Sequence, residues 1–239
     1  MRDRAVPEPG HIVILTGAGV SAESGLGTFR DPGGLWSRHD WRDLVTPEGF
    51  ARDPGAVLAF YDWRRERARA ARPNPAHHAL ARIARDWPGT VTLVTQNVDD
   101  LHERAGQPEV IHMHGSHMAA RCAACGHRWP APAVMAPADP CPACAAAAAR
   151  PDVVWFGETP QHMERIAAAL RAADLFVSIG TSGAVYPAAG FAAAARAAGA
   201  RTVELNLEPS ENARIFDETH HGRASEIVPA WVAGILAAP

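Results

Sequence analysis

The sequence predicts an α/β fold in which a six-stranded, doubly wound parallel sheet carries a small domain made of a helical insertion and a metal-binding module. Three observations lead to it. Six short apolar runs rich in branched residues alternate with helix-like stretches. The first of them runs straight into Gly17-Ala18-Gly19-Val20-Ser21-Ala22. All four cysteines fall into two close pairs in the middle of the chain. Continuously apolar strands belong to sheets covered by helices on both faces, because a half-exposed strand would alternate.

The 239 residues suffice for one large domain with a smaller one inserted, and 47% hydrophobic with 21% charged residues can build a core. A net charge of -3 and a pI near 6.4 leave no basic excess to hold a phosphate backbone, which argues against nucleic-acid partners. No apolar stretch approaches the roughly 20 residues of a membrane span. Residues 1–9 carry charges without the apolar centre of a signal peptide. The expectation is a soluble cytoplasmic protein with no membrane partner. All 23 basic residues are arginine, which fits GC-rich codon usage alongside the abundant alanine, glycine and proline.

Ile12-Val13-Ile14-Leu15 is the first strand, and the glycine pattern behind it is the dinucleotide turn in the context that gives it meaning. Glycines there let a pyrophosphate approach the backbone, and the N–H groups and dipole of the next helix favour its charge. The usual βαβ unit is then opened by an insertion, since the next strand run is Val91-Thr92-Leu93-Val94. Ser24 to Gly34 is too rich in glycine for a long helix, and Arg30 within it is either a phosphate partner or a solvated side chain. Thr46-Pro47 and Asp53-Pro54 each place a capping side chain before a first-turn proline and open two helices. Asn74-Pro75 breaks the chain, and Ala76 to Asp86 is the helix returning to the sheet. Val91–Thr95, Glu109–His112, Val153–Phe156, Leu175–Ile179 and Thr202–Leu205 complete the strands, with helices over Asp100–Ala105, Pro160–Ala172, Pro187–Ala198 and Ser225–Leu236.

Polar residues gather where these strands end. Gln96, Asn97, Asp99 and His114 follow the second and third strands and converge at the sheet's carboxyl mouth, where such folds bind ligands. Turn and helix-cap roles are the plain alternative for Asn97 and Asp99. Gly180-Thr181-Ser182 and Asn206-Leu207-Glu208 bring hydroxyls and N–H groups suited to phosphate and a carboxylate suited to ribose hydroxyls. In the insertion, Tyr61 and Arg64 stand side by side at i and i+3, where a guanidinium fork and a phenol can grip a carboxylate. Against this, Arg64 opens the charge run Arg64-Arg65-Glu66-Arg67, and such runs are ordinarily solvated faces.

The cysteines read Cys122-x2-Cys125, fifteen residues, Cys141-x2-Cys144. Four thiolates at this spacing suit a tetrahedral structural zinc with no open position, two disulfides being the alternative. The Pro/Ala-rich segment between the pairs needs the metal to staple it.

Gly17-Ala18-Gly19-x-Ser21 with Thr28-Phe29-Arg30, Gln96-Asn97-x-Asp99, His112-x-His114-Gly115, the four cysteines, Phe156-Gly157-Glu158, Gly180-Thr181-Ser182 and Asn206-x-Glu208 resemble the sirtuins in the same order, from Ile12 to Val228. Those are NAD-dependent protein-lysine deacylases. Tyr61-x-x-Arg64 is similar to the bacterial class III branch, which removes succinyl and malonyl as well as acetyl groups. The resemblance implies NAD over Gly17, Ala18, Gly19, Ser21 and Ala22 with Phe29 and Arg30, phosphates near Gly180, Thr181 and Ser182, and adenosine near Asn206, Leu207, Glu208 and Ala224. It implies that Asp99 and the Val98 backbone hold the nicotinamide carboxamide while Asn97 and Gln96 order the ribose. Acylated-lysine protein substrates would enter as an added strand between Phe156-Gly157-Glu158 and Gly183-Ala184-Val185, the acyl group reaching Tyr61, Arg64 and Val45. The acyl oxygen would attack the anomeric carbon as nicotinamide leaves. His114, assisted by Asn97, would then take a proton from a ribose hydroxyl so that it attacks the acyl carbon, and water would complete the release of free lysine and O-acyl-ADP-ribose.

Two residues depart from the family pattern. Val45 stands where members taking acidic acyl chains have alanine, which narrows the acyl pocket, and Gly27 in place of proline or arginine loosens the cofactor loop. Having no lysine, the chain cannot be its own side-chain substrate. The expected organisation is a monomer with a Rossmann-like NAD-binding domain at 1–35, 73–117 and 151–239, a helical insertion at 36–72 and a zinc module at 118–150. A protein ADP-ribosyltransferase, sharing nicotinamide cleavage, and a non-catalytic NAD or ADP-ribose sensor are the rival functions.

Overall fold

A computed structural model describes residues 10–28 and 40–237. Strand β1 (His11–Thr16) leads into a single helical turn, α1 (Ala18–Ser21), that widens into a π-helical turn at Ala22–Leu26. The insertion follows as α2 (Trp41–Leu44), α3 (Pro47–Arg52) and α4 (Pro54–Ala70). Thr46 and Asp53 accept bonds from Gly49 N–H and Ala56 N–H, the caps their sequence positions suggest. Helix α5 (Pro75–Asp86) returns to β2 (Thr90–Thr95), then come α6 (Leu101–Arg104) and β3 (Ile111–His112). Strands β4 (Gly115–Cys122), β5 (Arg128–Pro130) and β6 (Ala149–Val153) form a separate element. The chain closes with α7 (Met163–Ala172), β7 (Leu175–Ile179), α8 (Phe191–Ala197), β8 (Arg201–Asn206), β9 (Glu218–His221) and α9 (Ala224–Ala237). Among the described residues no helix is long and apolar enough to cross a membrane.

The main sheet has six strands in the order β3-β2-β1-β7-β8-β9, every neighbouring pair parallel. Alternate residues of β1 serve its two faces. Ile12 and Ile14 pack with Leu80, Leu93, Val203 and Val232 under α5 and α9. Val13 and Leu15 pack with Ile111, Ile166, Phe176 and Phe191 under α7 and α8. Burial on both sides is why these strands read as unbroken apolar runs.

One strand is not where the sequence reading puts it. Val153–Phe156 is not part of the parallel sheet. The strand there is β6, and it pairs antiparallel with β4 in a three-stranded sheet of order β5-β4-β6. Val153 and Trp155 are apolar because they pack on Val57 and Tyr61 of α4. The sixth parallel strand is β9, Glu-Thr-His-His, an edge strand largely exposed and without an apolar run to announce it. The small sheet extends from Gly115 to Val153, past both ends of 118–150.

The charge run on α4 also differs from expectation. Arg65 is fully buried. Its guanidinium pairs with Asp62 at 2.6 Å and donates to the carbonyls of His117 and Ala133, while Asp62 accepts the Met135 N–H. The arginine thus joins the helical insertion to the segment between the cysteine pairs.

Candidate functional site

Strand order reverses between β1 and β7, and the loops leaving these strands touch at the carboxyl mouth. Gly17 N–H donates to Ile179 O at 3.0 Å and Gly19 N–H to Gly180 O at 2.9 Å. A Cβ on Gly19 would lie 2.7 Å from Gly180 Cα, so glycine is needed for the two loops to meet. Two of the turn's N–H groups are therefore spent inside the protein. The helix behind it is also shorter than the sequence suggests: α1 has four residues, and Gly25 at φ +85° breaks the helical backbone within the π-turn. Ser225 donates N–H and O–H to Glu23, which draws the start of α9 and Ala224 to this turn. Phe29 and Arg30 lie outside the described residues.

The end of β2 supplies a connected polar group. Asn97 Nδ2 donates to Gly17 O at 3.0 Å and to Ser21 Oγ at 3.2 Å. Asp99 Oδ2 accepts from Ser21 Oγ, and Oδ1 accepts the Leu101 N–H two residues on, a turn bond made from the residue before the N-cap of α6, which is Asp100. Burial raises the Asp99 pKa, with the Leu101 and Ser21 bonds opposing it.

Behind Ser21 stands His77, which sequence reasoning missed. Its Nδ1 faces the Asn74 N–H and so must accept, leaving Nε2 to donate to Ser21 Oγ at 3.3 Å. Burial pushes the His77 pKa down to about 4, which keeps it in this neutral form. Its place in the first turn of α5 marks it only as a capping-box partner.

Strand β3 delivers two histidines of opposite character. His112 meets acceptors at both nitrogens, Asn97 O at 3.1 Å and Glu103 Oε1 at 2.6 Å. Burial opposes its charge, but the Glu103 hydrogen bond and field outweigh that and raise its pKa. Among the described residues His114 meets the Gln96 carbonyl, at 3.0 Å from Nδ1. A carbonyl cannot donate, so Nδ1 carries the proton and Nε2 of the neutral ring carries a lone pair. Burial lowers the His114 pKa, with the Gln96 bond pulling the other way. At neutral pH this imidazole is a base. Gly115, at φ +78°, lets the chain turn here, since a Cβ would meet Asp152 O at 2.0 Å.

The strands beyond β1 complete the mouth. Asn206 Nδ2 donates to Thr181 O at 2.8 Å, joining the loops after β8 and β7. Ser182, Leu207 and Glu208 are exposed there.

A second cluster lies between α4 and β6. Tyr61 is buried, and its hydroxyl accepts the Trp155 Nε1–H at 2.9 Å. Burial raises its pKa, so it stays a phenol. Arg64 is half-buried beside it, with Tyr61 and Asp99 as its favourable electrostatic neighbours. Val45 packs in the same cluster, and its carbonyl accepts the Phe156 N–H at 2.9 Å. Glu158 turns its carboxylate inward. It accepts from Arg121, from both Nη groups of Arg150 and from the Trp155 N–H, so this side chain shapes the Phe156-Gly157 turn.

The four cysteine sulfurs lie within 4.8 Å of one another among the described residues. Cys122 and Cys144 are 3.7 Å apart at Sγ, as are Cys125 and Cys141. Those separations are too long for disulfides and match the edge of about 3.8 Å that a tetrahedron with Zn–S near 2.3 Å requires. The donor set fits one structural zinc.

A family model described as the Sir2 family matches residues 17–187. A Caulobacter vibrioides protein named NAD-dependent protein deacylase is 56% identical over 230 residues, covering 95% of this chain and 97% of its own. A Vibrio cholerae protein of the same name is 52% identical over 231 residues, covering 95% and 94%. Among solved structures, a complex of a Sir2 homologue S24A mutant with ADP ribose superposes with a TM-score of 0.89 at 39% identity, covering 94% of this chain and 91% of that one. Sir2Af2 bound to a myristoylated histone peptide gives 0.72 at 30% identity, covering 94% and 90%.

Proposed function

The chain belongs to the Sir2 family, and on that footing we propose that it is an NAD-dependent protein-lysine deacylase, releasing nicotinamide, O-acyl-ADP-ribose and the free lysine. The observation that carries this reading is the fixed tautomer of His114, whose Nδ1 is committed to Gln96 O, the residue before Asn97, and whose Nε2 is left as a base. NAD, when bound, supplies an anomeric carbon that becomes electrophilic as its nicotinamide leaves. The buried polar group at the end of β2 suits its nicotinamide end: Asp99 and the Val98 backbone would hold the carboxamide, with Asn97 and Gln96 ordering the ribose. Gly17, Ala18, Gly19, Ser21 and Ala22 would line the diphosphate with Phe29 and Arg30, Gly180, Thr181 and Ser182 would face phosphate, and Asn206, Leu207, Glu208 and Ala224 the adenosine. His114 Nε2 would take a proton from a ribose hydroxyl, freeing that oxygen for the acyl carbon, with water completing release of the lysine. Cys122, Cys125, Cys141 and Cys144 would hold a zinc whose closed coordination leaves it structural.

The protein partner is an acylated-lysine polypeptide laid along Phe156, Gly157 and Glu158, in a cytoplasmic monomer. The domain division proposed is the NAD-binding part, the insertion at 36–72 and the zinc module at 118–150. Tyr61 and Arg64 would receive the carboxylate of succinyl or malonyl groups, with Val45 trimming the pocket toward shorter chains. The test is a panel of acetyl, malonyl, succinyl and long-acyl peptides with NAD, on the native protein and on Tyr61→Phe and Arg64→Met. The expected result is NAD-dependent turnover in the native protein and a loss of about 10- to 100-fold on acidic acyl groups in the variants, the worth of a charge-assisted hydrogen bond. Equal loss on acetyl peptides would remove the clamp assignment. Nicotinamide release that needs no acylated peptide would favour the ADP-ribosyltransferase, and binding without turnover the sensor.

A further inference from the structure

We propose that His117 is a positioning residue for acyl recognition, holding the Arg64 guanidinium in place and fastening it to the backbone at Val98. The proposal rests on the reading of Tyr61 and Arg64 given above. His117 sits on β4, three residues past His114, and is only 3% exposed. Its Nδ1 is buried without a hydrogen-bond partner among the described residues. An aliphatic side chain would fill the position without stranding a polar atom, so the usefulness of an imidazole here lies at its other nitrogen.

That nitrogen faces Arg64. Arg64 Nε donates to His117 Nε2 at 3.4 Å. A guanidinium only donates, so Nε2 bears the lone pair and Nδ1 the proton. Burial, with the positive fields of Arg64 and Arg65, holds the His117 pKa well below its ordinary value, and the neutral ring is the form that accepts. Because Nε is directed at His117, the guanidinium can meet a carboxylate only through its Nη1/Nη2 edge, which fixes the approach of an acidic acyl chain.

The same residue touches the other parts of the site. Its ring stands edge-on to Tyr61, with centroids 5.7 Å apart, and the Tyr61 hydroxyl, which accepts from Trp155, keeps its own O–H as a donor. Its backbone N–H donates to Val98 O at 2.7 Å, and its carbonyl accepts from Arg65 Nε at 2.8 Å. One residue therefore sets the distance between the pair on α4 and the loop assigned to nicotinamide.

The experiment compares succinyl and acetyl forms of one peptide at saturating NAD, on the zinc-loaded native protein and on His117→Leu, His117→Gln and Arg64→Met, with thermal unfolding of each as a check on folding. Glutamine offers an amide oxygen to Arg64 Nε, whereas leucine offers nothing. The expected outcome is a fall of about 10-fold in succinyl kcat/KM for His117→Leu, carried by KM, with a fall of less than about 3-fold for acetyl, and recovery of most of the succinyl KM in His117→Gln. Equal loss on both peptides, or no recovery with glutamine in a folded protein, would make His117 merely structural and overturn the proposal. If Arg64→Met raises the succinyl KM and His117→Leu does not, the clamp stands and this inference falls. If Arg64→Met leaves the succinyl-to-acetyl ratio unchanged, both fall together.

Discussion

The two sheets of this molecule are held together by different physics. The parallel sheet is buried on both faces by branched and aromatic side chains from α5, α7, α8 and α9, and its strands pair in continuous register. The small sheet has little to bury: Leu58, Ala120, Ala131, Met135 and Ala149 form its main cluster, three of them alanines. What it lacks in apolar area it replaces with specific ties, the four thiolates, the buried Arg65 and the Arg121–Glu158–Arg150 group. Hydrophobic burial is cooperative and forgiving of single changes, whereas a tie made by one charged group or one metal fails as a unit. The acyl cluster is built where the second kind of region meets α4.

Metal removal should separate the two regions most sharply. Chelation, or Cys141→Ser, is expected to expose amides between residues 115 and 153 to rapid hydrogen exchange while β1 and β7 keep their protection, because structural zinc contributes on the order of 10 kcal/mol in small modules. Unchanged protection across 115–153 would break the comparison. Next in size is Arg65→Ala, which strands Asp62 and the His117 and Ala133 carbonyls. Urea unfolding should record a loss of about 3 kcal/mol, far above that of an ordinary helical surface arginine, and a loss under about 1 kcal/mol would show the tie to be dispensable.

The smallest effect belongs to the large domain and is set by pH. The His112 pKa is raised above 6.5 and that of Glu103 lowered below 4.5, burial opposing both charges and their mutual hydrogen bond prevailing. Stability from His112 is thus fully present below pH 6.5 and lost as pH rises through its folded-state value, while stability from Glu103 is lost as pH falls through its own. The native protein should exceed His112→Gln by about 1 kcal/mol between these limits, Glu103 being partly exposed, and the gap should close on the alkaline side. A gap that widens as pH rises would mean the pair is not charged as described.

The same contrast explains what the sequence disclosed. Ile12–Leu15, Val91–Thr95 and Leu175–Ile179 were legible because burial on both faces writes an unbroken apolar run, and the residues just past them, Gly17, Asn97 and Gly180, follow by position. β9 was hidden because an exposed edge needs no apolar side chains. Val153–Phe156 misled because its apolarity answers to α4 and not to a parallel neighbour. Arg65 looked solvated within a charge run, since periodicity cannot say which of four successive charges is buried against a carboxylate. His77 and His117 act through hydrogen bonds to Ser21 and Arg64, partners far away in the chain, and no local pattern signals them.

In the proposed function the lone pair of His114 couples cleavage of the NAD glycosidic bond to release of a lysine amine. The most direct measurement is the ratio of nicotinamide released to amine freed, with each substrate supplied alone and together. One nicotinamide per amine, and neither product when acyl peptide or NAD is withheld, is the result expected, with His114→Ala abolishing amine release. Nicotinamide formed at the full rate without acyl peptide, or amine freed without NAD, would contradict it.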